Sequence, residues 1–296
     1  ALQSSEQPVG RVRREVMQEF ELAPDTLVAS GGGDNMMGAI GTGNTKIGIV
    51  SASFGTSGTI YAYSPRPVID PLGEIAAFCD STGAWLPLLC TMNVTVATEL
   101  VKRLFSLNNE KLSSLVKQAP AGCDGLILVP YFEGERTPNL PNGTGVYFGV
   151  RDKTMTPAHF ARATMEGVTL GMNYGLNRLC ELGLRPKEIR ITGGGSQNPV
   201  WRQIMADVFA TPVIAMDQSE GAAYGAALQA LWCWHLQKGD RVRIANLTDQ
   251  FVKTDRATLT EPRKDAVKRY RELQHLQDGF KSACAPLFDL HARIRG

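Results

Sequence analysis

Residues 189–216 read IRITGGGSQNPVWRQIMADVFATPVIAM, and how this stretch divides decides the fold. Ile189–Thr192 is a short β-branched run, which predicts a buried strand. Gly193-Gly194-Gly195-Ser196-Gln197-Asn198 is too rich in glycine to continue it. Pro199 then opens a helix to Phe209 from the favoured first helical position, and Val213–Met216 is a second apolar strand. Strand, loop, helix and strand in this order predict an α/β layered domain.

Toward the C-terminus an alanine-rich helix is predicted over 221–236, followed from Pro262 by a charged amphipathic helix with no glycine until Gly279. Toward the N-terminus, Thr156 is a good cap and Pro157 a good first residue for a long helix. Its Phe160, Ala163, Thr164, Val168, Met172 and Leu176 recur at helical spacing. Strands are predicted near 75–79 and 126–131, with helices near 94–105 and 110–118 between them. Two β-branched stretches, 47–52 and 59–63, flank Phe54-Gly55-Thr56-Ser57-Gly58 and predict a hairpin. Earlier still, a short helix over Val12–Phe20 precedes a strand at Leu27–Ser30, which runs into Gly31-Gly32-Gly33-Asp34-Asn35. No internal repeat or low-complexity segment interrupts the chain.

Composition narrows the function classes. With 296 residues the chain can bury a full core. A net charge of +2, with basic residues scattered, gives no electrostatic reason to expect nucleic acid or an anionic membrane as partner. No apolar run is long enough to span a bilayer, and ALQSSEQPVG lacks the basic start and apolar core of a secretory signal. Six cysteines are widely spaced without a CxxC pair, four of them in apolar surroundings that read as buried free thiols. That pattern disfavours a zinc site or a disulfide framework and favours a reducing cytoplasm.

Three glycine-rich loops, each after a predicted strand, carry the functional argument. In the first, consecutive glycines leave room for a ligand close to the main chain. Asp34 then stands at the N-terminus of a short helix, Asn35 to Gly41, where the helix dipole favours negative charge. A carboxylate beside open space suits a base for hydroxyl activation; an ordinary Asp helix cap explains the same residue. In the second, Gly55-Thr56-Ser57-Gly58, small hydroxyls and exposed N–H groups suit phosphate oxygens, although glycine and serine are also ordinary turn residues. The third, Gly193–Asn198, resembles part of a dinucleotide-binding unit, with Asp217 ending the next strand. Asn198 occupies the place of that motif's third glycine, and the intervening helix is short.

Taken in order, the three loops resemble the FGGY carbohydrate kinases. GGGDN at 31–35 is similar to the family's catalytic Asp loop, GTSG at 55–58 to its phosphate-binding turn, and GGGSQNPVW at 193–201 to its adenosine loop. Gly145-Val146-Tyr147-Phe148-Gly149-Val150 through His159-Phe160 to Ala163-Thr164-Met165-Glu166 fits a further family signature. Gly134-Glu135-Arg136-Thr137-Pro138 is similar to the pattern of the family's xylulokinases; Glu135 and Arg136 read as a charged turn that anchors the loop rather than as sugar contacts. The resemblance implies an α/β, ribonuclease H-like, actin-type ATPase domain with a mixed sheet flanked by helices. It implies that residues 1–48 end an N-terminal kinase domain bearing the catalytic Asp loop, and that 49–296 form the C-terminal ATP-binding domain.

The implied activity is ATP- and Mg²⁺-dependent phosphorylation of a sugar, foremost D-xylulose at its C5 hydroxyl. Other family substrates (gluconate, ribulose, glycerol) stay open, as does an NAD-dependent oxidoreductase built on Gly193–Asp217. Asp34 is the implied base, and Asn35 beside it either orients a sugar hydroxyl or bonds at the helix start. Gly55, Thr56, Ser57 and Gly58 are implied to hold ATP phosphates; Gly193, Gly194, Gly195 and Asn198 are implied to hold adenosine. The family's early D-x-G-T-(T/S) motif is absent, so the Mg²⁺ ligands are unknown from this chain and a missing N-terminal half is the expected partner. A homodimer is an open assembly. Asn93-Val94-Thr95 also departs from the glycine that family members often place near the nucleotide.

Overall fold

The computed structural model describes residues 3–218 and 220–295. Its first elements are β1 (Pro8–Arg11), α1 (Arg14–Glu19), β2 (Leu27–Ala29) and α2 (Asp34–Gly41), followed by the hairpin β3 (Ile49–Phe54) and β4 (Gly58–Ala62). The strands β5 (Ala76–Cys79) and β6 (Trp85–Thr91) lead to the helices α3 (Thr95–Leu104) and α4 (Asn109–Gln118). A second pair, β7 (Ile127–Pro130) and β8 (Gly145–Phe148), precedes the long helix α5 (Pro157–Glu181). The stretch that decides the fold becomes β9 (Glu188–Thr192), α6 (Pro199–Phe209) and β10 (Val213–Ala215). Three helices close the chain: α7 (Gly221–Gln237), α8 (Ile244–Phe251) and α9 (Lys264–Arg295).

Six strands form one mixed sheet in the order β10-β9-β3-β4-β6-β5. β3, β9 and β10 run parallel, whereas β4, β6 and β5 are each antiparallel to their neighbours. Side chains alternate across a strand, so the two faces bury different sets. Val50, Ala52, Phe54, Ile60, Leu89, Ile189 and Ile191 face the core shared with α5 and α6. Tyr61, Leu86 and Leu88 face the other way, onto Ala39 of α2. Met37 and Ile40 of α2 pack in turn with Leu228 and Trp232 of α7 and with Ile244 and Leu247 of α8. The sheet is therefore the middle layer of three. Among the described residues no helix is long and apolar enough to cross a membrane.

α2 and α7 meet without intervening side chains. A Cβ added at Gly225 would lie 1.7 Å from the Met37 carbonyl oxygen, and one at Gly41 would lie 1.8 Å from the Gly221 carbonyl oxygen. Only glycine permits two backbones to approach so closely.

α5 is capped as expected, with the Thr156 hydroxyl accepting from the His159 N–H, and it is buried on nearly every side. It therefore carries charge inward. Arg162 Nε donates to Glu166 Oε1 at 2.5 Å, and Tyr270 of α9 donates to the same oxygen at 2.6 Å. Arg162 also donates to the carbonyls of Val116 and Ala119, in the last turn and at the C-cap of α4. Burial pushes the Glu166 carboxyl up while Arg162 and Tyr270 pull it back down. Removing one member of such a pair leaves a buried charge uncompensated. Arg162→Ala is expected to lose about 3–5 kcal/mol of stability, read as a lower urea midpoint.

Asp70 fastens the loop before β5 to α5. Its buried carboxylate accepts from the N–H groups of Leu72, Glu74 and Ile75 and from the guanidinium of Arg178. Burial alone would push this carboxyl up; Arg178 and the backbone donors outweigh it and hold it at about 2. A depressed folded value means the contribution is complete above the unfolded value of about 3.9. It is lost as pH falls from there toward 2. Asp70→Asn is accordingly expected to lower Tm near neutrality, with the gap to wild type narrowing across pH 4 to 2.

Several elements differ from the expectation. The first helix is shorter, Arg14–Glu19, and is preceded by a strand, because β1 pairs with β2 in a separate two-stranded ribbon. β6 went unpredicted because Pro87 argues against a strand interior. Pro87 lies opposite only Ala77 of the edge strand, outside the run that pairs with β4. β8 and α8 are short, and tertiary packing rather than local pattern makes them. The tail helix continues through Gly279 and Pro286. Among the six free cysteines only Cys123 and Cys233 are buried, against the expected four; Cys79, on the edge strand β5, is exposed, and Cys90, Cys180 and Cys284 are half-buried.

Candidate active site

Two of the three loops touch main chain to main chain. Gly193 has φ +80°, and a Cβ there would lie 2.7 Å from both the carbonyl carbon and the oxygen of Phe54. Gly195 leans on the Phe54 side chain and on Trp201 in the same way. The loop after β9 thus sits directly on the start of the β3–β4 turn. That turn is tied down on its other side: the Thr95 N–H donates to the Gly55 carbonyl (3.0 Å) and the Val94 N–H to the Thr56 carbonyl (3.1 Å). Thr56 and Ser57 remain exposed, and neither hydroxyl has a hydrogen-bond partner among the described residues. Gly58 is buried, hemmed in by Met172, Val94 and Thr91.

A cleft of about 400 Å³ opens between the Gly194–Asn198 loop and the helices α3 and α4. Thr95, Glu99, Glu110 and Ser113 form one wall; Gly194 and Asn198 form the other. A Cβ at Gly194 would meet nothing within 4 Å, so this glycine faces open space. The Asn198 side chain is occupied: Oδ1 accepts from the N–H groups of Val200 (3.0 Å) and Trp201 (3.3 Å), capping α6, and Nδ2 donates to Ser113 Oγ (2.9 Å). Asn198 therefore joins the two walls.

The first loop comes to the sheet's opposite face. Gly33 is the cap residue and Asp34 the first residue of α2, so Asp34 is inside the helix by one position. Its Oδ1 accepts from the Asn35 N–H (2.8 Å) and from Asn35 Nδ2 (3.2 Å). The carboxylate is exposed, and Asn35 orients it. The loop is held from two directions. Gly32 lies against Ser81, where a Cβ would be 2.5 Å from the hydroxyl. Gln229, fully buried on α7, donates to the Ser5 carbonyl and, at 3.5 Å, to Ser30 Oγ.

Strand register shows what lies on this face. Ser53, Thr59 and Cys90 are opposite one another on β3, β4 and β6. All three are half-buried and point to the α2 side. They make a polar row that runs from the root of the 55–57 turn to Cys90, which, like Met36 of α2, packs against the Ala39–Tyr61–Leu86–Leu88 cluster. The negative charge of Asp34 reaches this row. Burial pushes the Tyr61 hydroxyl up to about 12, and Asp34 adds to that rise; burial also pushes the Cys90 thiol up, again with help from Asp34. The row thus starts at the root of the turn and lies on the face of the sheet that α2, the helix Asp34 opens, covers. No single loop motif marks Ser53, Thr59, Cys90 or Gln229; for the first two, strand alternation from the GTSG turn was the only available signal.

Beyond β6, Asn93 is buried and donates to the Gly134 carbonyl (2.7 Å) and to Glu135 (3.0 Å). The departure from glycine at this point is thus a structural tie to the 134–137 loop. Among the described residues no group of three or more His, Cys, Asp or Glu side chains converges in a way that fits a resident metal ion.

Comparison with known proteins accounts for this arrangement. Residues 50–234 match the model of the FGGY family of carbohydrate kinases, C-terminal domain. The xylulose kinase of Haemophilus influenzae is 39% identical over 280 residues, covering 93% of this chain and 56% of that protein. A crystal structure of xylulose kinase from Bifidobacterium adolescentis superposes with a TM-score of 0.77 at 30% identity, covering 92% of this chain and 52% of that one. A gluconate kinase from Lactobacillus acidophilus superposes with a TM-score of 0.89 at 20% identity, over 98% of this chain and 58% of that one, a likeness of fold. The expected mixed sheet flanked by helices, in the actin-type ATPase arrangement, is the fold of these sugar kinases. The chain spans about half the length of the curated relatives it matches.

Proposed function

The chain belongs to the FGGY family of carbohydrate kinases, and on that premise we propose that it supplies the nucleotide site and the catalytic base for ATP-dependent phosphorylation of D-xylulose at the C5 hydroxyl. The observation that carries the proposal is a common face: the polar row that starts at the unpartnered Thr56–Ser57 turn lies on the side of the sheet covered by α2, whose first residue is the exposed Asp34. The adenosine loop, meanwhile, rests on the root of the same turn. Adenosine lies in the cleft against Gly193, Gly194 and Gly195, where the bare Gly194 backbone admits a flat base. Asn198 serves it by joining the cleft walls. Gly55, Thr56, Ser57 and Gly58 form the phosphate turn, with the Thr56 and Ser57 hydroxyls as donors.

Phosphoryl transfer asks a protein chiefly for positioning and charge stabilisation. The sugar hydroxyl gives its proton to the Asp34 carboxylate as its oxygen bonds to the γ-phosphorus. The bond from that phosphorus to the bridging oxygen breaks, and the electron pair leaves with ADP. Asn35 orients Asp34 and the hydroxyl. Mg²⁺ enters with ATP, since magnesium is commonly held by substrate phosphates and one or two carboxylates; the described residues do not by themselves form a resident site. Residues 49–296 act as the ATP-binding domain, 1–48 bring the base, and the rest of the sugar site comes from a further segment of the complete cytoplasmic polypeptide.

The 39% identity to a xylulose kinase supports D-xylulose as the acceptor. Gluconate, L-ribulose and glycerol stand as the alternative acceptors that the family resemblance implies. Coupled ADP release by the complete polypeptide with D-xylulose, L-ribulose, gluconate and glycerol separates them, with D-xylulose expected to be fastest. For this chain alone, ADP is expected to raise Tm and NAD to leave it unchanged; stabilisation by NAD alone would defeat the kinase assignment.

A further inference from the structure

Gly221, Gly225 and Gln229 recur every four residues and share one face of α7. The first two are where the helix backbones touch, Gly221 opposite Gly41 and Gly225 opposite Met37. α7 therefore runs antiparallel to α2, and Gln229 comes next along the row, beyond the first turn of α2. Its side chain is buried, and its amide Nε2 donates to the Ser5 carbonyl at 2.5 Å and lies 3.5 Å from Ser30 Oγ. Ser5 precedes β1 and Ser30 follows β2, so both stand at the same end of the antiparallel ribbon. One amide from α7 thus spans the end of the ribbon from which the Gly31–Gly33 loop departs.

The same amide is a poor choice for stability alone. Its Oε1 is buried and has no hydrogen-bond partner among the described residues, and an unpaired buried acceptor is destabilising. The glycine contacts already lock α7 to α2, so the helix pair gains no register from a polar side chain there. What Gln229 adds is a hold on the chain ahead of α2, which has few others. The N–H groups of Gly31, Gly32 and Gly33 donate to no main-chain carbonyl among the described residues, and consecutive glycines restrict the backbone least of all. Gly33 at the cap offers no side chain to the open N–H groups of the first turn. Asp34 is the first residue of that turn, and its place depends on how the loop before it is held.

We infer that Gln229 is a positioning residue for Asp34: it ties the loop end of the β1–β2 ribbon to α7 and so holds the carboxylate in place relative to the ATP-binding domain. The inference rests on the kinase reading above. Gln229 is too deeply buried, at 1% exposure, to meet sugar or nucleotide. It moves no proton and acts only through the loop, its contribution being the geometry in which Asp34 receives the hydroxyl proton. The tie also crosses the expected domain boundary, since α7 lies within 49–296 and the loop within 1–48.

The test measures Gln229→Met, which keeps the length of the side chain and loses the amide, in the complete polypeptide and again in an Asp34→Ala background. Gln229→Met is expected to lose about 10-fold to 10²-fold in kcat, because about 1 Å of misplacement of a reacting group can cost 10²-fold. KM for ATP and the ADP-induced Tm shift should match wild type. In the Asp34→Ala background the same substitution should cost nothing further, since the group it positions is gone. Wild-type kcat in Gln229→Met overturns the inference. So does an equal further loss in the Asp34→Ala background, which assigns the effect to folding rather than to the base. Should Gln229→Met fail to fold, Gln229→Asn, whose amide is one methylene short of Ser5, is read against the same outcomes. If the wild-type polypeptide itself phosphorylates none of the four acceptors, the kinase reading fails first and takes this inference with it.

Discussion

Replacing Asp34 with alanine is expected to lower turnover of the complete polypeptide by about 10²–10⁴-fold, the usual contribution of a positioned base, while ADP binding is unchanged. The separation is expected because Asp34 is an exposed residue on the α2 side of the sheet, whereas the proposed adenosine cleft lies between the Gly194–Asn198 loop and α3 and α4. An acidic residue in a helix's first turn adds only about 0.3–1 kcal/mol to stability, so Asp34→Ala should fold normally. Asp34→Asn gives the sharper comparison, because it keeps the shape and removes the base. Turnover, ADP-induced Tm shift and urea midpoint, measured together on both variants, check the prediction. Unchanged turnover in Asp34→Asn would remove the base assignment and leave the proposed nucleotide cleft to be judged by ADP binding alone.

A second large effect is expected at Gly225, where a single methyl group meets backbone. An alanine Cβ would lie 1.7 Å from the Met37 carbonyl oxygen and 2.7 Å from the Gly41 nitrogen. Neither neighbour is a side chain that can rotate away, so one helix must move off the other. Overpacking of a core costs about 1–3 kcal/mol where side chains can adjust; here Gly225→Ala is expected at or above the top of that range. Displacing α2 also displaces its first residue, Asp34, so activity should fall further than the loss of folded protein explains. Gly279→Ala in α9 is the matched control. Its Cβ would meet nothing within 4 Å, and replacing a helical glycine there should stabilise by about 0.5–1 kcal/mol. Urea midpoints moving in opposite directions for the two variants would establish contact, rather than helix propensity, as the cause.

The parts of the fold legible in the sequence are those with strong local chemistry. Thr156-Pro157 starts α5, Pro199 starts α6, and the glycine-flanked hairpin at 55–58 stands where expected. β6 was hidden because Pro87 obeys a sheet rule that only its position beside the edge strand relaxes. β1 and α8 were hidden because four and eight residues carry too little periodicity to register. The site divides in the same way. Glycine-rich loops can be seen in a string of letters, but the polar row at the foot of the second cannot. Ser53, Thr59 and Cys90 become neighbours only through register. Asn198 illustrates the limit within a motif, since its amide caps α6 and bridges to Ser113 instead of being free for the ligand.

The seat of Gly193 on Phe54 has a practical meaning for redesign. The distance between the Gly193–Asn198 loop and the Gly55–Gly58 turn, the proposed adenosine and phosphate sites, is set at Gly193 by peptide groups in contact rather than by side chains. On the proposed assignment, retuning the site for a different purine or a bulkier analogue has free choice at Gly194, whose missing side chain faces vacant volume. The neighbouring Gly193 and Gly195 act instead as a fixed gauge between loop and turn. Transplanting the pocket into another scaffold would require β3, its turn, β9 and its loop to travel together as a single cassette.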